Sequence, residues 1–152
     1  MACHCKNEKV KVKVMLEEGV TLPKYETSGS AGMDIRANIT EPITLGSLER
    51  VLVPTGIKMA IPEGYEVQVR PRSGLALKHG ISLANAIGTI DSDYRGTIGV
   101  IMINLSKDPY TVQPQERIGQ MVLNRVKQME FEVVASLDET ERGEGGFGHT
   151  GK

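Results

Sequence analysis

The sequence predicts an all-β fold, a jelly-roll-like barrel or sandwich carrying one short helix near residues 74–79, and three observations lead there. Seventeen glycines and seven prolines interrupt a chain of 152 residues. Long helices therefore have little room, because glycine raises the entropy cost of ordering and proline removes a backbone donor. Between the interruptions, apolar residues alternate with others at the two-residue period of a half-buried strand. Turn signals at Pro23, Pro42, Gly46, Pro54-Thr55-Gly56, Pro62-Glu63-Gly64 and Pro109 recur about every ten residues, the rhythm of short antiparallel strands. No internal repeat and no strand–helix alternation competes with this reading.

From the N-terminus, Cys3-His4-Cys5 comes first. Cysteines beside the chain start cannot staple a fold, and three adjacent residues make a poor tetrahedral metal site without a fourth ligand. A frayed terminus is expected. Val10, Val12, Val14 and Leu16 mark the first strand, Val51 and Val53 another, Val67 and Val69 a third, and Ile101 and Ile103 a later one. The helix falls between the last two: Ser73 supplies an N-cap oxygen, Leu75 to His79 make the turns, and Gly80 provides the left-handed residue that ends them. Arg70-Pro71-Arg72 precedes this helix. Free N–H groups, a hydroxyl and two guanidinium groups in one place suit phosphate; a capped turn with solvated arginines is the alternative.

The final stretch, Arg142 to Gly151, holds five glycines around one large aromatic, Phe147. It cannot build a core and reads as a flexible flap over 142–152, distinct from a single β domain over 1–141. An isolated ring stacks on a planar base at about 1–3 kcal/mol, and Arg142 and Thr150 bracket Phe147 with groups suited to phosphate. A linker-like end is the competing reading.

Composition bounds the function. Hydrophobic residues at 39% and charged residues at 24% fit one globular domain and exclude a disordered chain. A net charge of -1 argues against a broad footprint for polymeric nucleic acid, though not against a local arginine cluster for a small anion. No apolar run approaches the roughly 20 residues that span a bilayer, and no signal-peptide pattern opens the chain. The expectation is a cytoplasmic or otherwise intracellular protein with no membrane partner.

Five segments stand out in order: Ala31 to Ala37 (AGMDIRA), Pro71 to Ala76 (PRSGLA), Asn85 to Gly96 (NAIGTIDSDYRG), Arg117 to Met121 (RIGQM), and Arg142 to Gly151. Together they resemble the trimeric deoxyuridine triphosphate nucleotidohydrolases, the dUTPases, and the resemblance runs from Tyr25 to Gly151. It implies a jelly-roll-like subunit and a homotrimer with shared active sites. It also implies Mg²⁺-assisted hydrolysis of dUTP to dUMP and pyrophosphate, which limits uracil in DNA and supplies dUMP for dTMP synthesis.

The resemblance assigns residues as follows. Asp91 is the general base that orients and deprotonates the attacking water; Asp93 is a structural turn residue. Arg72, Ser73, Gly74, Gln120, Arg142 and Thr150 hold the phosphates. Asn85, Gly88, Thr89 and Ile90, in a hairpin, read the uracil edge. Tyr94 lies under the deoxyribose and excludes a 2′-hydroxyl by occupying its volume, with a core tyrosine as its alternative, and Phe147 with Gly148 covers the base. Mg²⁺ is held mainly by substrate phosphates and water, with no direct protein ligand. Asp34 is either an outer-shell contact or a buried structural carboxylate. Arg70 and Arg117 are left out of the phosphate set, since ion pairing is the commoner role of lone arginines. Two rivals remain at this point: a dCTP deaminase or bifunctional enzyme of the same fold, and a nucleotide-gated binding protein whose tail closes on dUTP.

Overall fold

The fold is a computed structural model that describes residues 8–146. Cys3-His4-Cys5 and the tail positions Phe147, Gly148 and Thr150 lie outside the described residues. In chain order the elements are β1 (Lys13–Leu16), β2 (Met33–Arg36), β3 (Ile43–Leu45), β4 (Arg50–Pro54), β5 (Ile57–Ala60), β6 (Tyr65–Arg70), α1 (Ser73–His79), β7 (Ile81–Leu83), β8 (Gly88–Ile90), β9 (Gly99–Asn104), β10 (Tyr110–Val112) and β11 (Arg117–Arg125). Every strand pairing is antiparallel. The all-β expectation with one short helix holds.

Strand β11 is the spine of the sheet β2-β11-β6-β8, pairing with β2 on one edge and β6 on the other. A second sheet, β4-β9-β7, and two ribbons, β1-β5 and β10-β3, complete the fold. Inward residues of both sheets meet in one core, including Ile35, Val67, Val69 and Met121 from the first and Val53, Ile81, Val100 and Met102 from the second. The β2–β11 ladder slips between Arg117 and Gly119, a bulge that buries Ile118 and Gly119 in succession, which strict alternation forbids. Beyond it, Gln120 comes into register with Asp34 on one side and Arg70 on the other.

Three local expectations change. In β9 the inward face carries Val100, Met102 and Asn104, all fully buried, while Ile101 is 36% exposed. The strand is apolar on both faces, so period alone does not choose one, and the polar Asn104 disguises the buried phase. Asn104 is satisfied there: its Nδ2 donates to the carbonyls of Leu45 (3.0 Å) and Asp108 (2.8 Å), and its Oδ1 accepts from the Ser106 N–H (2.9 Å) and hydroxyl (2.8 Å). Buried polar groups are tolerated when paired in this way.

The helix begins at Ser73 itself, not after it. Arg72 occupies the cap position in an extended conformation, and no side chain caps the helix. From that position Arg72 Nε donates to Asp34 Oδ1 at 3.1 Å. Gly80 ends the helix in the left-handed region as expected, and a Cβ there would stand 3.0 Å from that of Ser106.

The segment from Asn85 to Ile90 is a corner between sheets, not a hairpin: β7 pairs with β9, while β8 pairs with β6. Alternation identifies strands without naming their partners. The corner turns at Ala86, which donates to the Leu83 carbonyl at 3.0 Å and has a φ of 60°.

Past β11 no strand occurs among the described residues, and Met129, Phe131, Val133 and Leu137 are exposed.

Candidate active site

The β7–β8 corner borders a cavity of about 270 Å³ lined by residues of both sheets. One wall is Leu52, Leu83, Gly99 and Ile101 from β4-β9-β7; the other is Val69, Gly88, Thr89 and Ile90 from β6 and β8. Asn85, Asp91, Tyr94 and Thr97 complete it from the connecting loops. An apolar body with few polar groups at its rim suits a small planar ligand. The Asp91 carboxylate lines the cavity and makes no hydrogen bond to another described side chain or backbone group, leaving both oxygens free for water or ligand.

Residues 91–97 are tied down by their own contacts. The Tyr94 N–H donates to the Asp91 carbonyl at 3.2 Å. Arg95 Nη1 donates to the carbonyls of Ser92 (2.7 Å) and Tyr94 (3.0 Å). The Tyr94 hydroxyl donates to the Thr97 carbonyl at 3.1 Å, and the Thr97 hydroxyl donates to Glu17 at 3.4 Å. Tyr94 is 44% exposed, which sets aside the core-tyrosine alternative and leaves its ring on the cavity wall.

A second group gathers where β6 hands over to α1, beside β2 and β11. Asp34 bridges two arginines, Arg72 Nε at 3.1 Å and Arg117 Nη1 at 3.2 Å. Arg72 Nη1 also donates to the Arg117 carbonyl at 3.3 Å. Asp34 is thus half-buried and ion-paired, neither deeply buried nor free. Arg117 takes the ion-pair role expected of it, whereas Arg70 donates to Gln68. Gln120 Nε2 donates to the Pro71 carbonyl at 3.1 Å, and the Ser73 hydroxyl has no partner among the described residues.

Gly32 makes room for Gln120: a Cβ there would approach Gln120 Oε1 to 2.8 Å and the Met121 carbonyl to 3.2 Å. Because one neighbour is backbone in the central strand, Gly32→Ala is expected to destabilise the fold by about 1–3 kcal/mol. Urea unfolding midpoints check this, and an unshifted midpoint would contradict the crowding.

Behind α1, His79 packs on Tyr110 with ring centroids 5.1 Å apart, and Tyr110 donates to Glu116. Burial, then the Glu116 hydrogen bond and charge, push the phenol well above its usual range, with Arg72 opposing.

One chain thus brings Asp91, Asn85, Gly88, Thr89, Ile90 and Tyr94 to one cavity. It gathers Arg72, Ser73, Gly74, Gln120 and Asp34 elsewhere, at the β6–α1 junction. Arg142 joins neither group; its Nε donates to the Gly145 carbonyl at 2.8 Å.

The family profile described as dUTPase matches residues 18–151. The chain belongs to the dUTPase family. The deoxyuridine 5′-triphosphate nucleotidohydrolase of Fusobacterium nucleatum is 70% identical over 145 residues, covering 95% of this chain and 99% of its own. That of Finegoldia magna is 56% identical over 142 residues, covering 93% and 99%. Among solved structures, the Staphylococcus bacteriophage 80alpha dUTPase G164S mutant with dUpNHpp aligns at a TM-score of 0.84 and 25% identity, over 95% of this chain and 100% of that one. The chain is a dUTP diphosphatase, a hydrolase of nucleotide metabolism.

Within the dUTPase cavity, sequence reading missed the apolar wall of Leu52, Leu83 and Ile101 and the clamp of Arg95. The wall residues come from strands distant in sequence, and no local signal marks them. Arg95 was detectable, as a lone cation within the Asp91 motif.

Proposed function

We propose that uracil and deoxyribose enter the cavity at the β7–β8 corner, and that Asp91 activates the water that hydrolyses dUTP there. The observation that carries this reading is the placement of Asp91, whose carboxylate has no partner among the described residues, in the same cavity lining as Asn85, Gly88, Thr89, Ile90 and Tyr94. Asp91 takes the proton as the water oxygen bonds to the α-phosphorus. The bond to the bridging oxygen then breaks and pyrophosphate leaves with its electron pair. Backbone groups of the corner and the Asn85 amide pair with the uracil edge. Cytosine reverses that donor–acceptor pattern and leaves buried groups unpaired.

Arg72, Ser73, Gly74 and Gln120 take the phosphates. Asp34 and the Arg117 carbonyl fix Arg72 through Nε and Nη1, while its Nη2 has no partner among the described residues and is available to a phosphate oxygen. This makes Asp34 a holder of the phosphate-binding arginine. Both Asp34 oxygens already face guanidinium groups, which fits Mg²⁺ carried mainly by the substrate phosphates and water. When bound, Mg²⁺ neutralises triphosphate charge.

The separation of cavity and phosphate group within one chain supports a homotrimer in which neighbouring subunits complete each site. The flap of Arg142, Phe147, Gly148 and Thr150 closes over it, Phe147 on the base and Arg142 and Thr150 on the phosphates. A nucleoside triphosphate substrate supports an intracellular place of action, limiting dUTP available to DNA synthesis and supplying dUMP. No helix among the described residues is long and apolar enough to cross a membrane.

Purified protein with Mg²⁺ and, separately, dUTP, dCTP, dTTP and UTP is expected to release pyrophosphate from dUTP alone, and to stop when EDTA removes the metal. Ammonia from dCTP would select the deaminase; tight dUTP binding without product would select the nucleotide-gated binder.

A further inference from the structure

We propose that Gly96 determines the sugar specificity of this site: lacking a side chain, it lets the Tyr94 ring fold across it, and the ring in that place excludes a ribose 2′-hydroxyl. The inference rests on the proposed site and on Tyr94 being the wall under the deoxyribose that excludes the 2′-hydroxyl, the role the family resemblance gives it; what is new is the part of Gly96. A Cβ at residue 96 would lie within 3.0 Å of three atoms of Tyr94, namely Oη, Cζ and Cε2. Real Cβ atoms do not approach that closely. Gly96 does not have a left-handed φ, so its backbone is open to any residue. Glycine is needed at this position for space.

The surroundings decide what would give way. Arg95 clamps the carbonyls of Ser92 and Tyr94, holding the backbone on one side. On the other, Ile98 is fixed by its N–H on the Ile57 carbonyl at 2.8 Å and by its carbonyl under the Thr55 N–H at 3.0 Å. The movable group is the ring. A methyl at residue 96 turns it about its own torsions and breaks the hydroxyl contact to the Thr97 carbonyl. Both Tyr94 and Thr97 line the cavity, so a displaced ring changes the shape of the sugar pocket without disturbing the core.

The test is kcat/KM for dUTP and for UTP, with Mg²⁺, in the full-length wild type, Gly96→Ala, Tyr94→Ala and the double variant, alongside melting midpoints. Gly96→Ala is expected to lower the dUTP-to-UTP ratio at least about tenfold while melting like the wild type. Tyr94→Ala lowers the ratio too. Adding Gly96→Ala to it changes the ratio by less than about twofold, because no ring remains to be displaced. An unchanged ratio in Gly96→Ala, with Tyr94→Ala impaired, would overturn the role of Gly96 alone. An unchanged ratio in Tyr94→Ala would overturn the Tyr94 reading and this inference with it. A further large loss in the double variant, or failure of Gly96→Ala to fold, would also overturn it, since ring rotation is the relief the geometry requires.

Discussion

Asp91→Asn is expected to lower turnover of dUTP by about 10²–10⁴-fold while affinity for a nonhydrolysable dUTP analogue stays within a few-fold of wild type. Asparagine keeps the size of the side chain and one acceptor oxygen, so it still orients a water. It has no basic carboxylate to receive the proton. The Asp91 carboxylate supports no other described hydrogen bond, so the exchange leaves the loop held by Arg95 and Tyr94 unchanged. Near-normal turnover would place the base elsewhere, while loss of analogue binding would mean that Asp91 supports the ligand itself.

Deletion after Glu141 carries the other large effect. It removes Arg142, Phe147 and Thr150 together, and with them positive charge at the leaving group and a lid over the base. Turnover is expected to fall by orders of magnitude, with a smaller change in analogue affinity, because ordering a glycine-rich segment offsets much of what its contacts contribute. Phe147→Ala is milder, keeping the arginine and backbone donors. If neighbouring subunits share sites, mixing the truncated protein with Asp91→Asn restores activity, since some mixed trimers contain a site with both parts intact. A truncated enzyme with normal turnover defeats the closing flap, and a fully active monomer defeats the shared site.

The fold class was legible because glycine and proline spacing and apolar alternation act locally, and so was the end of α1 at Gly80. What lay beyond was pairing. Nothing near Asn85 says that its flanking strands join different sheets, because register partners of β7 and β8 are distant in sequence. The buried phase of β9 was hidden for a related reason: Asn104 is satisfied by Leu45 and Asp108 across loops that only the fold brings together. At the candidate site, Asp91, Asn85 and Tyr94 of one motif line one cavity, since they lie within twelve residues of sequence. The union of Asp34 with Arg72 and Arg117 depends on strand neighbours, and local pattern could only leave the role of Asp34 open.

Met129, Phe131, Val133 and Leu137, past the last strand, stand 79%, 81%, 97% and 84% exposed. Covering one such side chain stabilises by about 1.5–3 kcal/mol, and an isolated subunit gains none of it. If the proposed trimer covers these side chains, that free energy is released only on encounter. Native-state stability then obeys mass action: dilution weakens the folded protein, and its melting midpoint climbs with total concentration. Durability becomes a matter of dose, so a cell that makes little of this enzyme also holds a more fragile one.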